Sequence, residues 1–210
     1  MPTLEIYPTI DGRVHATSGT WDGVRDASSG TAYTGASSDS TTPEAGNIFG
    51  YFISRGFFTF AISSSIPASS ITSATIRLTR KANTPDGYFI ASAKADATAI
   101  VGADFNNIDF STAYSSVVDL NGTETTTLNA AAITALNSAI GGYFECAYVE
   151  NNYDYPDTDP GSNNSFGGIY FSEQSGTDKD PMLTITYVIP YDNKKISAGT
   201  VHIGNGTLHV

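Results

Sequence analysis

The run from Arg55 to Leu78, RGFFTFAISSSIPASSITSATIRL, alternates apolar and polar residues twice, on either side of a break built from Ser, Ile and Pro. Phe58, Phe60 and Ile62 recur at every second position, and so do Ala74, Ile76 and Leu78. Successive side chains leave a strand on opposite faces, so this period predicts two half-buried strands. Thr59 and Ala61 fall on the second face of the first strand, and Thr75, Arg77 and Thr79 on that of the second. Pro67 has no N–H to give to a ladder and belongs to the connection. An antiparallel β protein is the architecture that accommodates both strands.

The composition agrees. Tyr 12 and Phe 11 stand against a single Trp, and only 15% of residues are charged. Few charges with many β-branched, aromatic and small polar residues suit a sandwich whose sheets have one dry and one wet face. Ten basic residues oppose 21 acidic ones, for a formal charge of -11. Such a chain is repelled by phosphate backbones and anionic lipid, so neither nucleic acid nor membrane is an expected partner. Cations and neutral sugars remain compatible. No apolar run approaches the length of a membrane span. The opening MPTLEIYPTIDG lacks a basic start and an apolar centre, so no signal peptide is expected there. Cys146 is the one cysteine, set in an apolar run, and reads as a buried, inert thiol.

Along the chain, residues 1–16 predict one or two short strands about an Asp11-Gly12 turn. Residues 17–50 are rich in Ser, Gly and Thr and predict a long loop or an arm laid over the domain. Tyr88 to Lys94 reads as a strand after a turn at Asn83–Gly87. One short helix is expected over AAAITALNSAI, with Asn129 as its N-cap, Leu128 and Ile133 as a hydrophobic staple, and Gly141-Gly142 beyond its end. Tyr143 to Val149 predicts a strand with Phe144, Cys146 and Tyr148 on one face, and Leu183, Ile185 and Tyr187 alternate in the last strand of the main domain. The domain is expected to span 1–189. Residues 190–210 are expected to form a docking β-hairpin turning at Asn205-Gly206, with His202 opposite His209 and Ile203 opposite Leu208. Val201, His202, Ile203, Leu208 and His209 are its candidate interface residues.

No nucleophile elbow, zinc-protease helix or phosphate loop is present, and the three histidines (His15, His202, His209) do not make a catalytic set. No catalytic residue is assigned, and the chain is expected not to be an enzyme. Glu150, Asp154, Asp157 and Asp159 crowd one Asn- and Gly-rich loop, where hard oxygens on a turning backbone make calcium the candidate cofactor. Plain turn chemistry explains the same residues. Trp21, Tyr148, Tyr153 and Tyr155 are candidate stacking faces for sugars, or equally for a protein interface.

The stretch RGFFTFAISSSIPASSITSATIRLT resembles the signature of DNRLRE-type domains, in which an aromatic-rich strand and Ser-x-Ile-Pro lead into an Ile-Thr-Ser-Ala strand. The run from Ile169 to Thr177, followed by Asp180 to Tyr187, is similar to that family's closing motif. Ala61 stands where the family usually has Asp after the Phe-x-Phe strand. The resemblance covers residues 5 to 188, and its motifs are structural. It implies an all-β, antiparallel jelly-roll β-sandwich, found in tailed-bacteriophage structural proteins and in secreted, carbohydrate-associated modules. Trp21 and Arg25, the helix after Asn129 and the Cys-poor composition are closer to the phage versions. The resulting expectation is a bacteriophage virion structural protein, for capsid decoration or for a tail or fibre, assembled in the host cytoplasm. Its partners would be other copies of itself, as a homo-oligomer, and other virion proteins. The alternative is an extracellular carbohydrate-binding module or adhesin that recognises glycans.

Overall fold

The structure is a computed structural model that describes residues 1–34, 42–83, 86–94, 98–172 and 176–190, with the backbone of 201–203 and 206–208. The chain is an all-β antiparallel sandwich. A five-stranded sheet holds β1 (Thr3–Ile6), β6 (Ile71–Ala82), β9 (Thr123–Thr127), β12 (Gly168–Ile169) and β13 (Met182–Tyr187). An eight-stranded sheet holds β2 (Ile10–Ser18), β3 (Thr31–Thr34), β4 (Glu44–Asn47), β5 (Tyr51–Ala61), β7 (Gly87–Ser92), β8 (Ile108–Ala113), β10 (Tyr143–Glu150) and β11 (Asn164–Ser165). The long strand β5 is its spine. It pairs with β2 along one side, and with β4 and then β10 along the other.

The alternation of the sequence is realised between the sheets. Phe58, Phe60 and Ile62 meet Ala74, Ile76 and Leu78, joined by Phe144, Cys146 and Tyr148 from β10 and by Leu183 and Ile185 from β13. The outward face of the small sheet carries threonine, with Thr184 beside Thr75 and Thr75 beside Thr127 across three strands. The expected helix is α2 (Ala130–Ser138), capped by the Asn129 side chain, which accepts from the N–H groups of Ala131 and Ala132. Leu128, Ala132 and Leu136 close one end of the core, with Ile133 packed against it.

Several elements differ from expectation. Asp11 and Gly12 lie inside β2, not at a turn, because the connection between β1 and β2 falls at residues 7–9. Residues 17–50 are no free arm. They finish β2, form a single helical turn α1 (Trp21–Arg25), and supply β3 and β4; residues 35–41 lie outside the described residues. The terminal hairpin forms between β14 (Val201–Ile203) and β15 (Gly206–Leu208), but in another register: His202 pairs with Thr207 and Ile203 with Gly206. Residues 204–205, between the two strands, and His209 lie outside the described residues.

The largest departure is a second core. β5 is buried on both faces from Ile53 to Phe60. Phe57, Ile53, Val14, Ala147 and Val149 face away from the small sheet and are covered by Trp21 and Val24 of α1 and by Phe105 of a 3-10 turn (Gly102–Asn106). Cys146 belongs to the inter-sheet core, where burial pushes its thiol pKa far above the usual range. Thiolate is the reactive form. A disulfide-exchange reagent such as DTNB should therefore leave the native protein unlabelled and modify Cys146 only once denaturant has unfolded it. Labelling in buffer at the rate of a free thiol would show that this core opens.

Candidate functional site

The acidic loop after β10 is held by protein donors. Glu150 is buried and accepts from the backbone N–H groups of Asn152 at 2.7 Å, Tyr153 at 2.7 Å and Asp154 at 3.2 Å. Asp154 is buried and grips Arg55 with both oxygens, at 2.8 Å from Nε and 2.7 Å from Nη2. Arg25 Nε lies 3.1 Å from the same carboxylate and donates to the Asp154 carbonyl at 2.9 Å. Burial lowers the Arg25 guanidinium pKa from its usual value; Asp154 opposes that shift and Arg55 adds to it. Asp157 accepts from the Trp21 indole N–H at 3.0 Å, and Asp159 from the Tyr51 hydroxyl at 3.2 Å.

For the calcium expectation, these contacts supply a structural account of the same carboxylates. A calcium ion requires oxygens that converge on it, whereas here guanidinium and N–H groups converge on the oxygens. Among the described residues no three His, Cys, Asp or Glu side chains are placed to share a metal. The loop instead fastens a lid over the second core. Arg55 rises from β5 through that core, lies over the Phe105 ring at 4.0 Å, and donates to the carbonyls of Phe105 and Arg25. Replacing Glu150 with alanine strands three backbone N–H groups in a buried setting. An urea melt should show a loss of about 1–3 kcal/mol, and an unchanged midpoint would mean that water caps this turn instead.

The four candidate stacking aromatics are also relocated. Trp21 and Tyr148 are buried. Tyr148 packs on Phe89 beneath the backbone of Gly87, where an added Cβ would lie 2.6 Å from the Tyr148 ring. Tyr155 stacks on Tyr88 with centroids 4.1 Å apart, and both Tyr153 and Tyr155 pack against the second core. Period-two patterning places Tyr148 on the Phe144 face but cannot say that both faces of the sheet are covered.

The exposed aromatic surface lies elsewhere. Residues 52, 54, 56, 58 and 60 share one face of β5. At its Phe58 and Phe60 end this face meets the small sheet, whereas Phe52 lies outside that core. Beyond the covered part lies a groove of about 620 Å³ lined by His15 and Thr17 of β2, Ile48, Phe52 and Phe166. His15, Phe52 and Phe166 stack in a row, with centroids 6.4 and 5.6 Å apart and planes within 23° and 14°. Phe49, at the turn between β4 and β5, is 102% exposed, Ile48 50% and Phe166 42%. Glu44 adds a buried carboxylate to the groove. Burial, and then Arg13, lower the His15 pKa, so its imidazole is neutral at pH 7, and among the described residues its Nδ1 has no hydrogen-bond partner. The only sequence signal for this site is Ile48-Phe49-Gly50 amid polar residues, two apolar side chains ahead of a turn glycine.

No protein-family model matches the chain, and no curated protein matches it.

Proposed function

We propose that the chain is a non-enzymatic structural subunit that acts by packing and surface attachment in a bacteriophage particle, as capsid decoration or as part of a tail or fibre. The uncovered aromatic end of the large sheet supports the packing part of this reading. Contiguous apolar surface on an otherwise hydrophilic protein marks an interaction site, and here it is continuous with a core-facing strand. The phage setting is supported by the resemblance to DNRLRE-type domains in the Arg55–Thr79 and Ile169–Tyr187 segments. In this reading the acidic groups of the 150–160 loop are structural, since their oxygens are engaged by Arg55, Arg25 and backbone N–H groups. Mass spectrometry of particles purified from a producing lysate is the test. The chain should be present at a stoichiometric level relative to the major capsid protein, and its absence from clean particles would overturn the assignment.

A further inference from the structure

We propose that the overhanging end of the large sheet is a self-association surface, in which Phe49 of one copy inserts into the groove of a second copy and receives the second copy's Phe49 in return. This rests on the reading of the chain as an assembling subunit, and it names the occupant of the groove.

Three observations select a second copy. The first is that plug and socket lie on one patch. A two-fold interface uses the same surface on both partners, so that surface must both project and receive. Phe49 stands on the rim of the groove with its whole side chain in water, and the groove it borders has about 620 Å³ of room, ample for a phenyl ring. A different partner protein would need only one of the two features here.

The second observation is charge. Copies of a chain with a formal charge of -11 repel one another, so they can approach closely only where charge is missing. The three segments that build the patch, 15–19, 45–54 and 160–172, contain no Asp, Glu, Lys or Arg. At the groove itself the acidic group is Glu44, recessed from water, and the imidazole of His15 is neutral.

The third observation is layering. The face of β5 that carries Phe58 and Phe60 meets the small sheet, whereas Phe52 on the same face is part-exposed and, among the described residues, lies outside that core. A β-sheet is stable when its apolar face is covered by another layer, and the matching end of a second copy supplies one. A sugar fits this surface less well. Phe52 is stacked with His15 and Phe166, the fully exposed ring is Phe49, which has no polar edge to bond hydroxyl groups, and the Tyr51 hydroxyl on the groove wall already donates to Asp159.

Sedimentation velocity of the full chain over a concentration series tests the pairing. The unaltered protein should sediment as a dimer. Phe49→Ser should raise the dissociation constant at least 100-fold and leave the thermal midpoint of the monomer unchanged, because an all-exposed side chain supports little of its own fold. Phe166→Ser, on the socket side, should weaken association similarly. A protein that is monomeric at every concentration overturns the inference. So does an oligomer indifferent to Phe49→Ser, although that result leaves the assembling-subunit reading standing; absence from purified particles removes that reading without touching the dimer result. Titration of the unaltered chain with soluble neutral oligosaccharides completes the test. Saturable binding that is lost in Phe49→Ser, by a chain that stays monomeric, would assign the groove to a glycan and overturn the proposal.

Discussion

Asp154→Ala should lower the unfolding free energy by about 3–5 kcal/mol, the largest loss expected from any single polar substitution in this chain. Asp154 is fully buried and answers two cations, Arg55 through both of its oxygens and Arg25 at 3.1 Å. Removing it leaves the Arg55 guanidinium buried against Phe105 with only carbonyl partners. The cost comes from that stranded charge and not from the intrinsic worth of the pair, since burying two ions roughly offsets their attraction. Asp154→Asn, which keeps an acceptor but no charge, should lie in between. The double variant Arg55→Met with Asp154→Leu should recover part of the loss. Urea midpoints with a constant slope would establish all three. A loss under about 1 kcal/mol for Asp154→Ala, the range of an exposed pair, would show that solvent reaches this site.

Phe57→Ala should cost as much as Phe58→Ala, about 3–5 kcal/mol each. The two residues are neighbours in sequence and point to opposite sides of β5, so a sandwich with one core would spare Phe57. Here both are fully buried, Phe58 among Phe60, Phe89 and Phe171 between the sheets, and Phe57 in the second core. Trp21 is the single tryptophan and belongs to that second core. Its fluorescence in native buffer should therefore shift to longer wavelength in Phe57→Ala and stay unchanged in Phe58→Ala. Equal spectra, or a Phe57→Ala loss below about 1 kcal/mol, would contradict the covered outer face.

Much of the fold is legible in local pattern. The two runs flanking Pro67, the strand with Phe144, Cys146 and Tyr148, and the closing strand with Leu183 and Ile185 all contribute their apolar sets to one core. The helix cap at Asn129 is equally local, since a cap is a bond between a side chain and N–H groups two and three residues on. The hairpin register was harder. Gly204, Asn205 and Gly206 offer overlapping two-residue turns, and local chemistry does not choose between them. The site residues were the least legible. Asp154 and Arg55 are 99 residues apart in the chain, and Asp157 and Trp21 are 136 apart. An acidic loop that will bind calcium and one that will clasp arginine have the same composition.

The sequence by itself determined the strongly alternating strands, from Arg55 to Leu78, Tyr143 to Val149 and Leu183 to Tyr187, with their inward faces and the capped helix, because backbone geometry ties side-chain direction to position within a few residues; β3, β4, β8 and β9 carry no such pattern. The sequence also left three segments without charge, 15–19, 45–54 and 160–172. Only the tertiary structure decided which second faces would be covered, which carboxylates would meet cations, and where an apolar sheet face would run past its partner layer. Those outcomes depend on segments far apart in the chain arriving at one place, and no local period records that meeting.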